Sequence, residues 1–105
     1  MDERQVLCAC SAYEQKFYLN PVYSSLPDAV QEELKIMSVM LTADVGGVFT
    51  MAFEEDGTLF LSTTAKENDL TYDEIGSYLK VKKLRQEKEE LFEGLEQYYR
   101  TFFMD

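Results

Sequence analysis

Cys8 and Cys10 are the two cysteines of the chain. Two positions apart on a strand, they would point to one face, where a pair of thiols offers half of a soft-metal site or a redox couple. The rest of such a site is missing, because no third cysteine exists and the chain contains no histidine. Losing the imidazole removes the usual general base, the usual triad partner of a nucleophile and the commonest transition-metal ligand. The expected role of both thiols is that of small buried hydrophobes. Carboxylate, lysine or tyrosine chemistry stays open, but GxxxxGK[ST], GxGxxG and CxxC are all missing from the sequence. The residues therefore nominate no catalytic group and no cofactor.

Glu54-Glu55-Asp56 and Glu67-Asn68-Asp69 are acidic clusters with the composition of a hard-cation site. Neither has the spacing of a calcium loop, and a turn and a solvated connector account for them. Glu54, Tyr72, Asp73 and Glu74 are the candidates for a small-ligand or metal pocket beside the hairpin and the connector. Lys80, Lys82, Lys83, Arg85 and Lys88 put half of the ten basic residues into one short stretch. That cluster is a candidate anion-docking patch, although in so acidic a chain balance against its own carboxylates explains it better. The aromatic tail Tyr98-Tyr99-Arg100-Thr101-Phe102-Phe103 combines core spacing with the residue types that anchor interfaces.

The chain has 105 residues, 46% of them hydrophobic and 13% aromatic, which suits one domain with one core and argues against disorder. Its formal net charge of −10 repels phosphate backbones and anionic membrane surfaces, so neither nucleic acid nor a membrane is an expected partner. The acidic opening Met1-Asp2-Glu3-Arg4-Gln5 lacks the pattern of a secretory signal, and no apolar run approaches the roughly 20 residues of a membrane span. A cytoplasmic protein is the expectation.

The elements that must hold these residues centre on Leu34–Phe53, which reads as the buried end of a helix feeding a core strand through Gly46-Gly47. Val6–Cys10 reads as a strand and Lys16–Leu19 as its hairpin partner, with a helical turn across Tyr13–Phe17 as the rival. Ser25-Leu26-Pro27-Asp28 starts a helix with Val30, Leu34, Met37 and Leu41 in one stripe and Ala29, Ile36 and Met40 in a second. Asp56-Gly57 between alternating runs predicts a two-residue hairpin turn that pairs Phe53 with Phe60 and Ala52 with Leu61. Phe49, Met51, Phe53 and Phe60 would then face the core, leaving Val48, Thr50, Ala52, Leu59, Leu61 and Thr63 on a second face too apolar to be left fully in water. Thr71 and Glu74 match a capping box with Leu70 and Ile75 as its staple. From there an unbroken helix to Phe103 would run about 48 Å, too long for a globule of this mass, so a break at Gly76-Ser77, a strand at Tyr78–Lys82 or packing on a second copy is required.

Ser11–Asn20 (SAYEQKFYLN), Val45–Thr50 (VGGVFT), Phe53–Gly57 (FEEDG), Tyr72–Ser77 (YDEIGS) and Glu89–Glu93 (EELFE) together resemble a small family of uncharacterised bacterial proteins, a domain of unknown function. The resemblance covers nearly the whole chain. It implies a bacterial cytoplasmic setting and brings no activity, cofactor or catalytic residue with it. The fold expected from the element order is α+β, an antiparallel sheet of about four strands with two helices mainly on one face, the C-terminal one long. The expected function is a non-enzymatic interaction module that binds itself as a homodimer or another protein, through Val48, Leu59 and Leu61 or through Tyr98, Tyr99, Phe102 and Phe103. A small-ligand or metal-binding domain is the alternative.

Overall fold

The structure, a computed structural model, describes residues 5–104; the acidic opening stretch, residues 1–4, lies outside the described residues. Four strands, β1 (Val6–Ser11), β2 (Lys16–Leu19), β3 (Val48–Phe53) and β4 (Leu59–Thr64), form one antiparallel sheet in the order β2-β1-β3-β4. Lys16–Leu19 is thus a strand and not part of a helical turn. Three helices accompany the sheet: α1 (Asp28–Val45), α2 (Glu74–Glu87) and α3 (Glu89–Phe103). The α+β class and the strand number agree with the expectation, while the helix count exceeds it by one. The register puts Cys8, Cys10, Phe49, Met51, Phe53 and Thr63 on one face, and it is this face that meets the helices. Cys10 touches Thr42 of α1, Phe53 stacks on Tyr99 of α3 at 4.2 Å, and Thr63 bonds Ser77 of α2 at 2.7 Å.

The β3–β4 hairpin differs from the expected one by a single residue. Phe53 pairs with Leu59, Ala52 with Phe60 and Met51 with Leu61. A two-residue turn of the expected type needs positive φ at both central positions. Here Gly57 has φ 87° and Asp56 does not share that region. The Asp56 carboxylate instead accepts the Thr58 N–H at 2.9 Å, and the Glu54 N–H reaches the Thr58 carbonyl at 2.8 Å, which closes a three-residue loop. One residue of register turns every β4 side chain over. Leu59 (1% exposed) and Leu61 therefore lie in the core, and Phe60 (42% exposed) points outward.

α1 starts at Asp28 behind Pro27, whose carbonyl accepts the N–H groups of Val30 and Gln31; no side chain caps it, and Ser25 is bonded instead to the Tyr98 hydroxyl at 2.6 Å. Its inward stripe, Leu34, Met37, Leu41 and Val45, is buried, and Ser38 and Thr42 pack against Cys8 and Cys10 of β1. These four side chains are small, which lets the helix lie close to the strand. The second stripe stays on the surface, with Ile36 50% and Met40 63% exposed. Gly46 (φ 80°) ends the helix, and Gly47 (φ 74°) turns the chain into β3. A Cβ on Gly47 would clash with the Thr64 carbonyl oxygen and sit 2.9 Å from the Tyr72 ring.

The C-terminal helix turns at Lys88, not at Gly76-Ser77, and Tyr78–Lys82 is helical. Lys88 (φ −111°, ψ 24°) closes α2 and opens α3, and its ammonium reaches Glu33 of α1 at 2.8 Å. The start of α2 is also reassigned: Asp73 is the cap, accepting the Gly76 N–H at 2.7 Å, while Thr71 bonds Asp69. Leu70 and Ile75 are both exposed and form no staple. Beyond the turn, Phe92, Leu95 and Tyr99 bury the stripe of α3. Tyr23, held in the short 3-10 turn Pro21–Tyr23, sits among Phe53, Tyr98, Tyr99 and Phe103 with ring centroids 5.0–6.4 Å away.

Gly47→Ala is expected to cost about 2 kcal/mol or more, combining positive-φ strain with a backbone clash. Gly94→Ala, in an exposed helical position with nothing within 4 Å of the added carbon, should gain about 0.5–1 kcal/mol. Urea unfolding of the two variants beside the parent chain checks both signs.

Candidate interaction surfaces

The thiol pair is enclosed. Cys8 and Cys10 are both unoxidised and buried between β1 and α1. Burial pushes the Cys8 thiol up to about 12; the Ser38 hydroxyl works against this and Cys10 adds to it. The Cys10 sulfur lies 3.4 Å from the Thr42 hydroxyl, which itself donates to the Ser38 and Val39 carbonyls. At such a pKa only about one thiol in 10⁴ is ionised at pH 8, so nucleophilic or metal-binding use of Cys8 requires the core to open.

The acidic clusters are occupied locally. Asp69 accepts from the Tyr13 hydroxyl and from both the N–H and the hydroxyl of Thr71. Tyr13 also accepts the Lys66 N–H at 2.9 Å, with the Lys66 ammonium 4.6 Å from its ring centre. This is a latch between the β1–β2 loop and the β4–α2 connector. The bond to Asp69 raises the Tyr13 pKa and lowers that of Asp69. In the hairpin, the Asp56 carbonyl accepts from Arg100 at 3.1 Å, fixing the turn to α3. Among the described residues no group of three or more acidic, cysteine or histidine side chains converges on a metal position. Tyr72 and Glu74 line one groove and Asp73 caps α2, while Glu54 sits at the other end of the hairpin, about 20 Å away at 3.3 Å per strand residue. The four candidate pocket residues are not brought together.

The basic residues separate onto two sides of α2. Lys80 pairs with Asp44 at 2.8 Å, Lys83 with Glu87 at 3.6 Å and Lys88 with Glu33 at 2.8 Å, all along the joint with α1. Lys82 and Arg85 lie on the other side, with Tyr78 and Val81, facing β4. They line a groove of about 860 Å³ whose far wall is Leu61, Thr63 and Thr64. A second groove, about 760 Å³, runs between α1 and α2 over Ile36, Met40 and Leu84.

Of the residues expected to form an interaction surface, Leu59, Leu61 and Tyr99 are buried, Tyr98 and Phe103 belong to the aromatic cluster, Phe102 is exposed, and Val48 lies on the helix-free sheet face. That face also carries Val6, Ala9, Tyr18, Thr50, Ala52 and Phe60. The hairpin register hides Phe60, whereas Ile36 and Met40 are legible as a second stripe, which stays exposed.

These features define an α+β fold that offers surfaces and grooves; no described helix is long and apolar enough to cross a membrane. The chain belongs to DUF6145, a family of unknown function whose model spans residues 4–105. No curated protein and no solved structure matches it.

The latch has a definite pH profile. The lowered Asp69 pKa stabilises the fold above the unfolded value near 4 and is lost as pH falls through the folded value; the raised Tyr13 pKa stabilises below about 10 and is lost as pH rises through its folded value. Tyr13→Phe should therefore lower stability most between about pH 5 and 9, and the gap to the parent chain should close at both extremes. Thermal melts across pH check this. For the thiols, iodoacetamide at pH 8 should leave the native chain unlabelled and add two carbamidomethyl groups once it is unfolded; rapid native labelling would contradict the closed seam.

Proposed function

We propose that the chain is a non-enzymatic protein-interaction module that works as a homodimer, two copies meeting through the helix-free face of the sheet. The observation behind this reading is the charge on that face. Lys16 is the one charged residue among its strand positions, in a chain that is 29% charged with a net charge of −10. Two such chains repel each other unless they meet where acids are missing. The centre of the face is small and flat, with Ala9, Thr50 and Ala52, and Tyr18 and Phe60 stand on the outer strands. With a two-fold axis along the strands, β2 of one copy crosses β4 of the other, so these aromatic side chains come together.

A face about 20 Å on each side is small for a specific interface, so the proposed dimer is a weak one. Sedimentation from about 1 to about 200 µM should show a monomer converting to a dimer. Tyr18→Glu with Phe60→Glu should shift the chain to monomer with unchanged circular dichroism, and its melting should match that of the parent at a concentration where the parent is monomeric. A monomer throughout that range, or a variant that dimerises like the parent, would overturn the reading.

A further inference from the structure

β4 is an outer strand of the sheet, and its outer edge is closed at one end only. The Thr58 carbonyl turns inward to Glu54, so by antiparallel alternation Phe60, Ser62 and Thr64 also bond to β3, while Leu59, Leu61 and Thr63 turn their N–H and C=O groups outward. At Leu59 both groups are taken: the Glu96 carboxylate of α3 accepts its N–H at 2.6 Å, and Arg85 of α2 donates to its carbonyl at 3.4 Å. Among the described residues nothing bonds the outward backbone groups of Leu61 and Thr63. They open into the groove between β4 and α2. An unpaired strand edge beside a groove is a template for another strand.

The groove also has a charge preference. Val81 and Leu61 give it an apolar floor, and Lys82 and Arg85 bring two cations against the single acid Glu74. The other cations of this stretch, Lys80, Lys83 and Lys88, are paired with Asp44, Glu87 and Glu33. In a chain of net charge −10 this is a locally positive slot beside an unpaired strand edge.

We infer that this groove binds an extended acidic peptide segment, which adds to β4 as a fifth strand. The segment's backbone pairs with Leu61 and Thr63, an apolar side chain sits over Val81, and an acidic side chain two positions away meets Lys82 and Arg85. The site lies apart from the helix-free face and does not depend on dimerisation.

The test is titration of the full chain with the acetylated, amidated pentapeptide TVTET, followed by amide NMR shifts and calorimetry. Saturable binding below about 1 mM, with shifts concentrated at residues 60–64 and 78–85, is the expected result. TVTKT should bind at least tenfold more weakly, and TVTET N-methylated at its three internal residues should not bind. Lys82 is exposed and makes no ion pair among the described residues, so Lys82→Glu should leave the fold intact, weaken TVTET at least fivefold and strengthen TVTKT. Tyr18→Glu, on the far edge of the sheet, should change none of these values, which separates this site from the dimer face. No binding of TVTET, equal binding of the N-methylated peptide, or no charge reversal in Lys82→Glu would each overturn the inference.

Discussion

The structure depends on the register of the β3–β4 hairpin, and that register is decided by which face of β4 is worth burying. A two-residue turn at Asp56-Gly57 would bury Phe60 and expose Leu59 and Leu61. The observed loop buries both leucines at the expense of one half-exposed phenylalanine. At about 1.5–3 kcal/mol for each large apolar side chain taken from water, two leucines outweigh one phenylalanine, and the gain exceeds what turn chemistry alone can contribute. The Asp56 side chain accepting the Thr58 N–H and Gly57 at φ 87° make the longer loop accessible. With β4 in this register, Leu59 presents its backbone to Glu96 and Arg85, and the edge strand is tied to both C-terminal helices.

The helical layer answers to two different demands. α1 lies against β1 through Cys8, Cys10, Ser38 and Thr42, a seam of small side chains that permits close approach. α3 carries a strong apolar stripe and seats it on the cluster around Tyr23 and Phe53, where stacked and edge-on ring pairs add to simple burial. One straight helix cannot serve both the α1 joint and the Tyr23 cluster. The turn at Lys88, anchored on Glu33, divides the work between α2 and α3.

What the sequence showed was what is local and periodic. Alternation marked β3 and β4, a nearly continuous apolar run marked β1 with Lys16–Leu19 as its hairpin partner, the stripe of Leu34, Met37 and Leu41 marked α1, and Gly46-Gly47 marked its exit at positive φ. What it hid was set by tertiary partners. Thr71-x-x-Glu74 has the form of a capping box, but Asp69 holds Thr71 and the cap passes to Asp73. The turn at Lys88 has no proline or glycine to announce it, and the contact its ammonium makes there is with Glu33, a carboxylate on another helix. The one-residue slip in the hairpin relocated Leu59, Leu61 and Phe60, and with them the assignment of the outward face. Residues of the grooves were legible as types, Lys82 and Arg85 among them, but not as members of one side of α2.

α2 shows why the candidate surfaces gather where they do. Ser77 is its one buried residue, so little apolar burial holds it in place. It is held by polar contacts instead: the Asp73 cap, the triangle of Tyr72, Ser77 and Thr63 hydroxyls, the Lys80–Asp44 pair and the Arg85 bond to Leu59. An exposed ion pair contributes about 0–1 kcal/mol and a neutral hydrogen bond about 0.5–1.5 kcal/mol, enough together to orient a helix but not to lock it as a buried stripe would. The element that walls both grooves is therefore the least firmly packed of the three helices, and low local stability of this kind is where proteins place surfaces that must admit a partner. α2 turns polar side chains to β4 at Leu59 and Thr63, while among the described residues nothing bonds the outward backbone groups of Leu61 and Thr63.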